Sequence, residues 1–267
     1  MLKAKGLEYE ASGDGEAVLL IHGALIADSF LPLTREAALA DRYRLIRYRR
    51  RGHGGSDPMP PGCSIEQQAQ DALALMTHLG VSRAHVIGHS GGGVIALQLA
   101  IEAPSLVHSL VVLEPATLPP DLVPVFSERV GPVLEAHRAG DPGRAIDLWM
   151  DMVGVGADWR TTVANTVPGG VEQAERDAST FFEVDFPAFR EWSLDRERAS
   201  RIRQPVLYVF GSESGPLVEA LKRYFLSQVP HSEEVVVPGV GHAMQMQDPK
   251  LVAAPIADFL SCHPFSA

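Results

Sequence analysis

The chain has 267 residues, 46% hydrophobic and 21% charged, a balance that fits one soluble globular domain with a sizeable core, or a core carrying an insert. Its formal net charge of −10 excludes nucleic acid as a natural partner, because phosphate binding needs a basic surface. No run reaches the length of a membrane span, and Met1-Leu2-Lys3-Ala4-Lys5-Gly6 leads into no apolar signal core, so a cytoplasmic location is expected.

Taken in chain order, the first strong apolar run is Ala17 to Ile21, a predicted strand that ends at His22-Gly23-Ala24. A second strand, Arg44 to Tyr48, runs into the dense basic segment Arg47-Tyr48-Arg49-Arg50-Arg51, read as a solvated strand end and loop. Ser64 to Leu79 places Ile65, Ala69, Ala72, Met76 and Leu79 at helical spacing, with Ser64 and Gln67 as a capping box and Gly80 as a stop. Further strands are predicted at Ala84 to Gly88, Leu110 to Leu113, Val206 to Phe210 and Glu234 to Val237. Short apolar strands alternating with helices predict an α/β fold: a doubly wound, mostly parallel sheet buried on both faces.

The alternation lapses between Pro115 and Arg203. All three tryptophans (Trp149, Trp159 and Trp192) fall there, with Phe126, Phe181, Phe182, Phe186 and Phe189. This stretch is expected to form a helical cap, residues 115–203, inserted into a core made of 1–114 and 204–267. Some of its aromatics should face a ligand while others pack the cap itself. Pro255, inside the helical pattern Pro249 to Leu260, predicts a break or kink. Cys63 and Cys262 lack metal-ligand spacing and are read as two free thiols.

The chemistry concentrates in Gly88-His89-Ser90-Gly91-Gly92, a G-x-S-x-G run between a predicted strand and the helical stretch Gly93 to Ala100. Small residues two before and two after Ser90 let the backbone turn sharply and present the hydroxyl. A serine hydroxyl needs a base as it attacks. His242, on a Gly-rich loop after the last predicted strand, is the candidate, ahead of His53 and His89. The orienting acid is Glu114, which ends a buried strand immediately before Pro115, where an unpaired charge would be costly and an imidazolium is a natural partner. Glu213, after the Val206 strand, is the alternative acid. The oxyanion donors are expected to be Gly91 N–H and Ala24 N–H, with Leu25 or Gly23 as alternatives to Ala24. His22 is read as a residue that holds its loop.

His22-Gly23, Arg51-Gly52-His53-Gly54-Gly55-Ser56, Gly88-His89-Ser90-Gly91-Gly92 and Gly241-His242 together resemble the α/β-hydrolase superfamily across nearly the whole chain. The Glu114-Pro115 step looks like the subset whose acid follows strand six, the zearalenone lactonase type and related esterases. The resemblance implies a serine hydrolase, needing neither cofactor nor metal, that cleaves a carboxylic ester or lactone of a largely apolar small molecule. Two departures stand out: Arg49 occupies a position where many relatives have Asp, and Ser214 one where many have the acid. A serine at 90, rather than an aspartate, argues against haloalkane dehalogenase or epoxide hydrolase chemistry. The alternatives are C–C bond hydrolysis or perhydrolysis with the same triad, and a non-catalytic ligand-binding protein on this fold.

Overall fold

The computed structural model describes residues 1–265. Eight strands form one sheet: β1 (Leu2–Ala4), β2 (Leu7–Ser12), β3 (Glu16–Ile21), β4 (Tyr43–Arg49), β5 (Ala84–His89), β6 (Val107–Leu113), β7 (Val206–Gly211) and β8 (Glu233–Val237). Their order is β1-β2-β4-β3-β5-β6-β7-β8; β1 pairs antiparallel with β2 and β2 with β4, and every other pairing is parallel. The six predicted strands are all present. The edge hairpin β1–β2 was not expected, because its polar residues carry no buried pattern. Its turn is made by Lys5 and Gly6, both at positive φ (54° and 81°), the backbone that a two-residue hairpin loop requires.

The alternation of side chains along each parallel strand divides the core between two faces. Leu19, Ile21, Val86, Leu110 and Val112 pack on one side, against the helices Ile65–His78 and Gly91–Glu102. Val18, Leu20, Ile87, Val111 and Leu113 pack on the other, against the helix Pro249–Cys262. The capping box at Ser64 and Gln67 forms as expected, each residue's side chain bonding the other's backbone N–H. The last helix runs through Pro255 without a break; its flanking residues Val252, Ala253, Ile256 and Ala257 are buried against the sheet, and that packing holds the helix across the missing N–H. Both cysteines are free. Among the described residues no helix is long and apolar enough to cross a membrane.

A helical insert lies between β6 and β7. Its main helices, Val123–Arg138, Pro142–Met152, Trp159–Thr166 and Gly170–Arg176, share an apolar cluster with Leu25, Ile26, Ala243 and Met246 from core loops at the C-terminal edge of the sheet. The end of the insert behaves differently: Trp192, Leu194, Ala199 and Ile202 join the sheet's own core, and Trp192 Nε1–H donates to Gln98 Oε1 (2.8 Å).

Candidate active site

β5 runs straight into Ser90, whose φ of 51° and ψ of −118° are forbidden ground for most non-glycine residues. Such backbone costs on the order of 1–3 kcal/mol and persists only where its surroundings fix it. Here Ser90 N–H donates to Leu113 O (3.0 Å) and Ser90 O accepts from Ala116 N–H (3.1 Å), tying the turn to the end of β6. The turn also needs Gly92, since a Cβ there would run into the carbonyl oxygens of Ile21 and His22. Ser90 is half-buried and begins the helix Gly91–Glu102, so Gly91 N–H has no partner within that helix.

Glu114 follows β6 with φ 44° and is fully buried. Its carboxylate is saturated: Oε1 accepts from Gly211 N–H (2.8 Å) and Ser214 Oγ–H (2.6 Å), and Oε2 accepts from His242 Nδ1–H (2.7 Å). His242 sits on the loop after β8, where His89 Nε2–H donates to His242 O (2.8 Å) and Gly241 N–H donates to Gln247 Oε1 (2.8 Å). His89 therefore pins the loop and not the serine. Glu213 points away: it is exposed, and its Oε1 accepts from Ser212 Oγ (3.0 Å). Ser214 lends its hydroxyl to Glu114. On the far side of Ser90, Ala24 N–H has no acceptor among the described residues. Leu25 beside it is held at φ 63°.

Ser90, His242 and Ala24 line two adjacent apolar hollows. One, of about 70 Å³, adds Gly91, Glu114, Phe126, Phe181, Phe186 and Phe189. The other, of about 30 Å³, adds Ile26, Met150, Trp159, Val163 and Met246. Trp149 and Val153 border both. A larger surface depression, about 940 Å³, lies on the insert around His137, Glu175 and Phe182, and holds none of Ser90, His242 or Glu114.

Residues 18–254 match the Alpha/beta hydrolase family. The chain belongs to that family. It is 26% identical over 274 residues to a Caulobacter segnis protein named as a carbamate hydrolase, RutD, covering 96% of each chain. Among solved structures, a thermophilic esterase from Thermogutta terrifontis superposes with a TM-score of 0.76 at 23% identity, covering 97% of this chain and 94% of that one. The enol-lactonase from Burkholderia xenovorans LB400 gives a TM-score of 0.75 at 22% identity, covering 96% of both.

The basic run of this hydrolase is not a solvated patch. Arg47 pairs with Asp28 and Glu10, Arg49 with Asp28 and Glu8, and Arg51 with Asp71. Arg50 is buried, and its guanidinium grips Asp185 of the insert with two 2.8 Å bonds, Nη1 to Oδ1 and Nη2 to Oδ2. Gln68 Oε1 and Gly23 O accept from the same cation (2.7 and 3.0 Å), and His53 Nε2 lies 3.2 Å from Asp185 Oδ2. Burial alone would push the Asp185 carboxyl up, but the Arg50 charge and the His53 contact hold it down at about 2. Sequence reasoning missed this centre. The available signal was a carboxylate set among Phe181, Phe182 and Phe186, which needs a cation, with three consecutive arginines elsewhere to supply one.

A second chain of groups imitates a triad without its setting. Ser109 Oγ lies 2.7 Å from His85 Nδ1, and His85 Nε2 lies 3.4 Å from Glu16 Oε2. Ser109 and His85 are wholly buried and line none of the hollows around Ser90. Their relevance is to stability. Burial pushes the His85 ring below its ordinary pKa, and burial with the neighbouring His242 takes His89 down to about 3. Both rings are therefore neutral in the folded chain, whereas the unfolded chain takes up protons below about pH 6.5. Their stabilising contribution is complete above that pH and falls as pH drops toward 3. Each ring should cost about 1.4 kcal/mol per pH unit, His89 from about pH 6.5 down to about 3 and His85 only down to about 4. Thermal melts between pH 7 and 4 should show Tm falling with acid, and His89→Asn should flatten the slope; an equal slope in both proteins contradicts the assignment to His89.

Proposed function

We propose that this member of the alpha/beta hydrolase family is a serine hydrolase that cleaves a carboxylic ester or lactone of a small, largely apolar molecule through an acyl-enzyme. The observation that carries the reading is the 2.7 Å bond from His242 Nδ1–H to Glu114, made at the wall of the hollow that Ser90 also lines. That bond leaves Nε2 as the ring's free acceptor, the tautomer a general base needs. Ser90 Oγ attacks the carbonyl carbon as His242 takes its proton. The oxyanion accepts from Ala24 N–H and Gly91 N–H. Collapse breaks the bond to the alcohol, which leaves with the proton from His242. Water then attacks the acyl carbonyl by the same proton route, freeing the acid and restoring Ser90. The insert serves as a cap whose aromatic side chains keep water from the hollow.

Intact-mass analysis after treatment with a fluorophosphonate tests the nucleophile. One adduct per chain is expected on wild type and none on Ser90→Ala. A folded wild-type protein that takes no label would move the reading to a ligand-binding protein.

The two hollows are far smaller than the roughly 300–1,000 Å³ sites that enclose drug-sized ligands, which favours short acyl groups. Trp149 borders both, so Trp149→Ala should join them into one longer slot. The ratio of kcat/KM for p-nitrophenyl hexanoate to that for the acetate should rise by about tenfold or more. An unchanged ratio would mean that the acyl chain runs elsewhere.

A further inference from the structure

The two hydrogen-bonding ends of one peptide unit face different parts of the molecule. Gly23 C=O and Ala24 N–H belong to the same planar group, so fixing the carbonyl fixes the direction of the N–H. That carbonyl is held twice: Arg50 Nη2–H donates to it at 3.0 Å and His22 Nδ1–H at 2.9 Å. His22 is set for this role, because Arg50 N–H donates to its Nε2 (3.0 Å), leaving the ring's proton on Nδ1. Burial, then the Arg50 charge, keeps that ring neutral, far below its ordinary pKa. Arg50 in turn is clamped by Asp185, from the insert's turn Phe181–Asp185. A second insert residue grips the same loop: Gln173 Oε1 accepts from Ala27 N–H (3.1 Å), and its Nε2–H donates to Leu25 O (3.2 Å).

We propose that Arg50, braced by Asp185, is a positioning residue that aims and polarises the Gly23–Ala24 peptide so that Ala24 N–H stabilises the oxyanion, which links the insert directly to the chemical step. A cation on the carbonyl draws electron density away from the amide nitrogen and strengthens the N–H as a donor. The bidentate ion pair stops the cation from swinging away. This inference rests on the Ser90 acyl-enzyme reading.

The test uses Arg50→Met/Asp185→Leu, which removes both buried charges and leaves apolar groups of similar size, a replacement that stable folds accept. Three quantities are read: kcat and KM for p-nitrophenyl acetate, and Ki for a short alkyl trifluoromethyl ketone, which captures the serine as a tetrahedral oxyanion. The expected result is kcat down about 10- to 100-fold, part of what losing a whole oxyanion donor costs, with KM within about twofold and Ki raised in step with the fall in kcat. Arg50→Lys, which keeps the charge without the fork, should show the same split to a smaller degree and serves if the double variant does not fold. A folded variant with kcat within threefold of wild type, or with KM and Ki raised together as general loosening would do, overturns the inference. Wild type and Ser90→Ala run alongside: turnover that survives in Ser90→Ala overturns the parent reading as well, whereas turnover lost in Ser90→Ala but intact in the double variant overturns this inference alone.

Discussion

Glu114→Gln should reduce kcat by about 10⁴-fold in a protein that still folds. The reason lies in how the carboxylate is held. Gly211 N–H and Ser214 Oγ–H both donate into the Oε1 position. The backbone N–H can only donate, so the glutamine oxygen must take that place. The amide NH₂ is then left where Oε2 now faces His242 Nδ1. Facing a donor, Nδ1 must become an acceptor, which moves the ring's proton to Nε2 and leaves no base toward Ser90. The lost negative charge also removes stabilisation of the imidazolium that forms as Ser90 attacks. Glu213→Gln should change kcat less than twofold, because that side chain is exposed and bound only to Ser212. Steady-state rates on p-nitrophenyl acetate, with circular dichroism as the folding check, decide the matter; a loss of less than tenfold at Glu114 would sink its assignment.

The largest stability effect is expected at the other buried carboxylate. Arg50→Leu strands Asp185, a residue with no exposed surface, and should cost about 3–5 kcal/mol at pH 7 in urea unfolding. Since whole domains are stable by roughly 5–15 kcal/mol, that is a large part of the total. The pH dependence has a definite sign. In wild type, Asp185 stays ionised down to about pH 2, so its contribution is present above the unfolded value near 3.8 and is lost only as pH falls through 2. Without Arg50, burial pushes the carboxyl up, the folded chain then holds a proton that the unfolded chain releases, and acid favours folding. The deficit relative to wild type should therefore shrink between pH 7 and pH 4. Arg50→Met/Asp185→Leu should recover most of it. A deficit independent of pH would show that the loss is one of packing and not of an unpaired charge.

What the sequence made legible follows from range. Ser90, Gly88 and Gly92 declare themselves locally, because a sharp turn between a strand and a helix demands small neighbours within two residues. Five of the six predicted strands lie inside the sheet, where burial on both faces writes continuous apolar runs, and β8, at the edge, showed itself by its β-branched run Val235-Val236-Val237. The proposed acid, Glu114, required a spatial argument, yet its position before Pro115 at the end of an apolar strand made an unpaired charge conspicuous. The β1–β2 hairpin escaped because its strands are short and mostly polar, with too few buried residues to impose a pattern. The Arg50–Asp185 pair escaped for a different reason: its members stand 135 positions apart, and neither signals which opposite charge it will meet. Among the insert's aromatics, composition could say that some face the hollow. Only packing separates Trp149, Phe181, Phe186 and Phe189, which line it, from Trp192, which anchors the insert's end to the sheet.

The 2.6 Å contact between Ser214 and Glu114 constrains how such a site can change over generations. Two carboxylates at these positions would crowd like charges into one buried space. Ser214→Asp should therefore be tolerated only once Glu114 has been replaced by a neutral residue. That replacement, in turn, spares the site only once Ser214→Asp has already supplied a second acid. Each step alone is a valley. On the mechanism proposed for Glu114, moving the acid's role to position 214 thus requires two changes bound by strong epistasis. Ser214, small and uncharged, leaves Glu114 the single carboxylate bonded to His242 among the described residues.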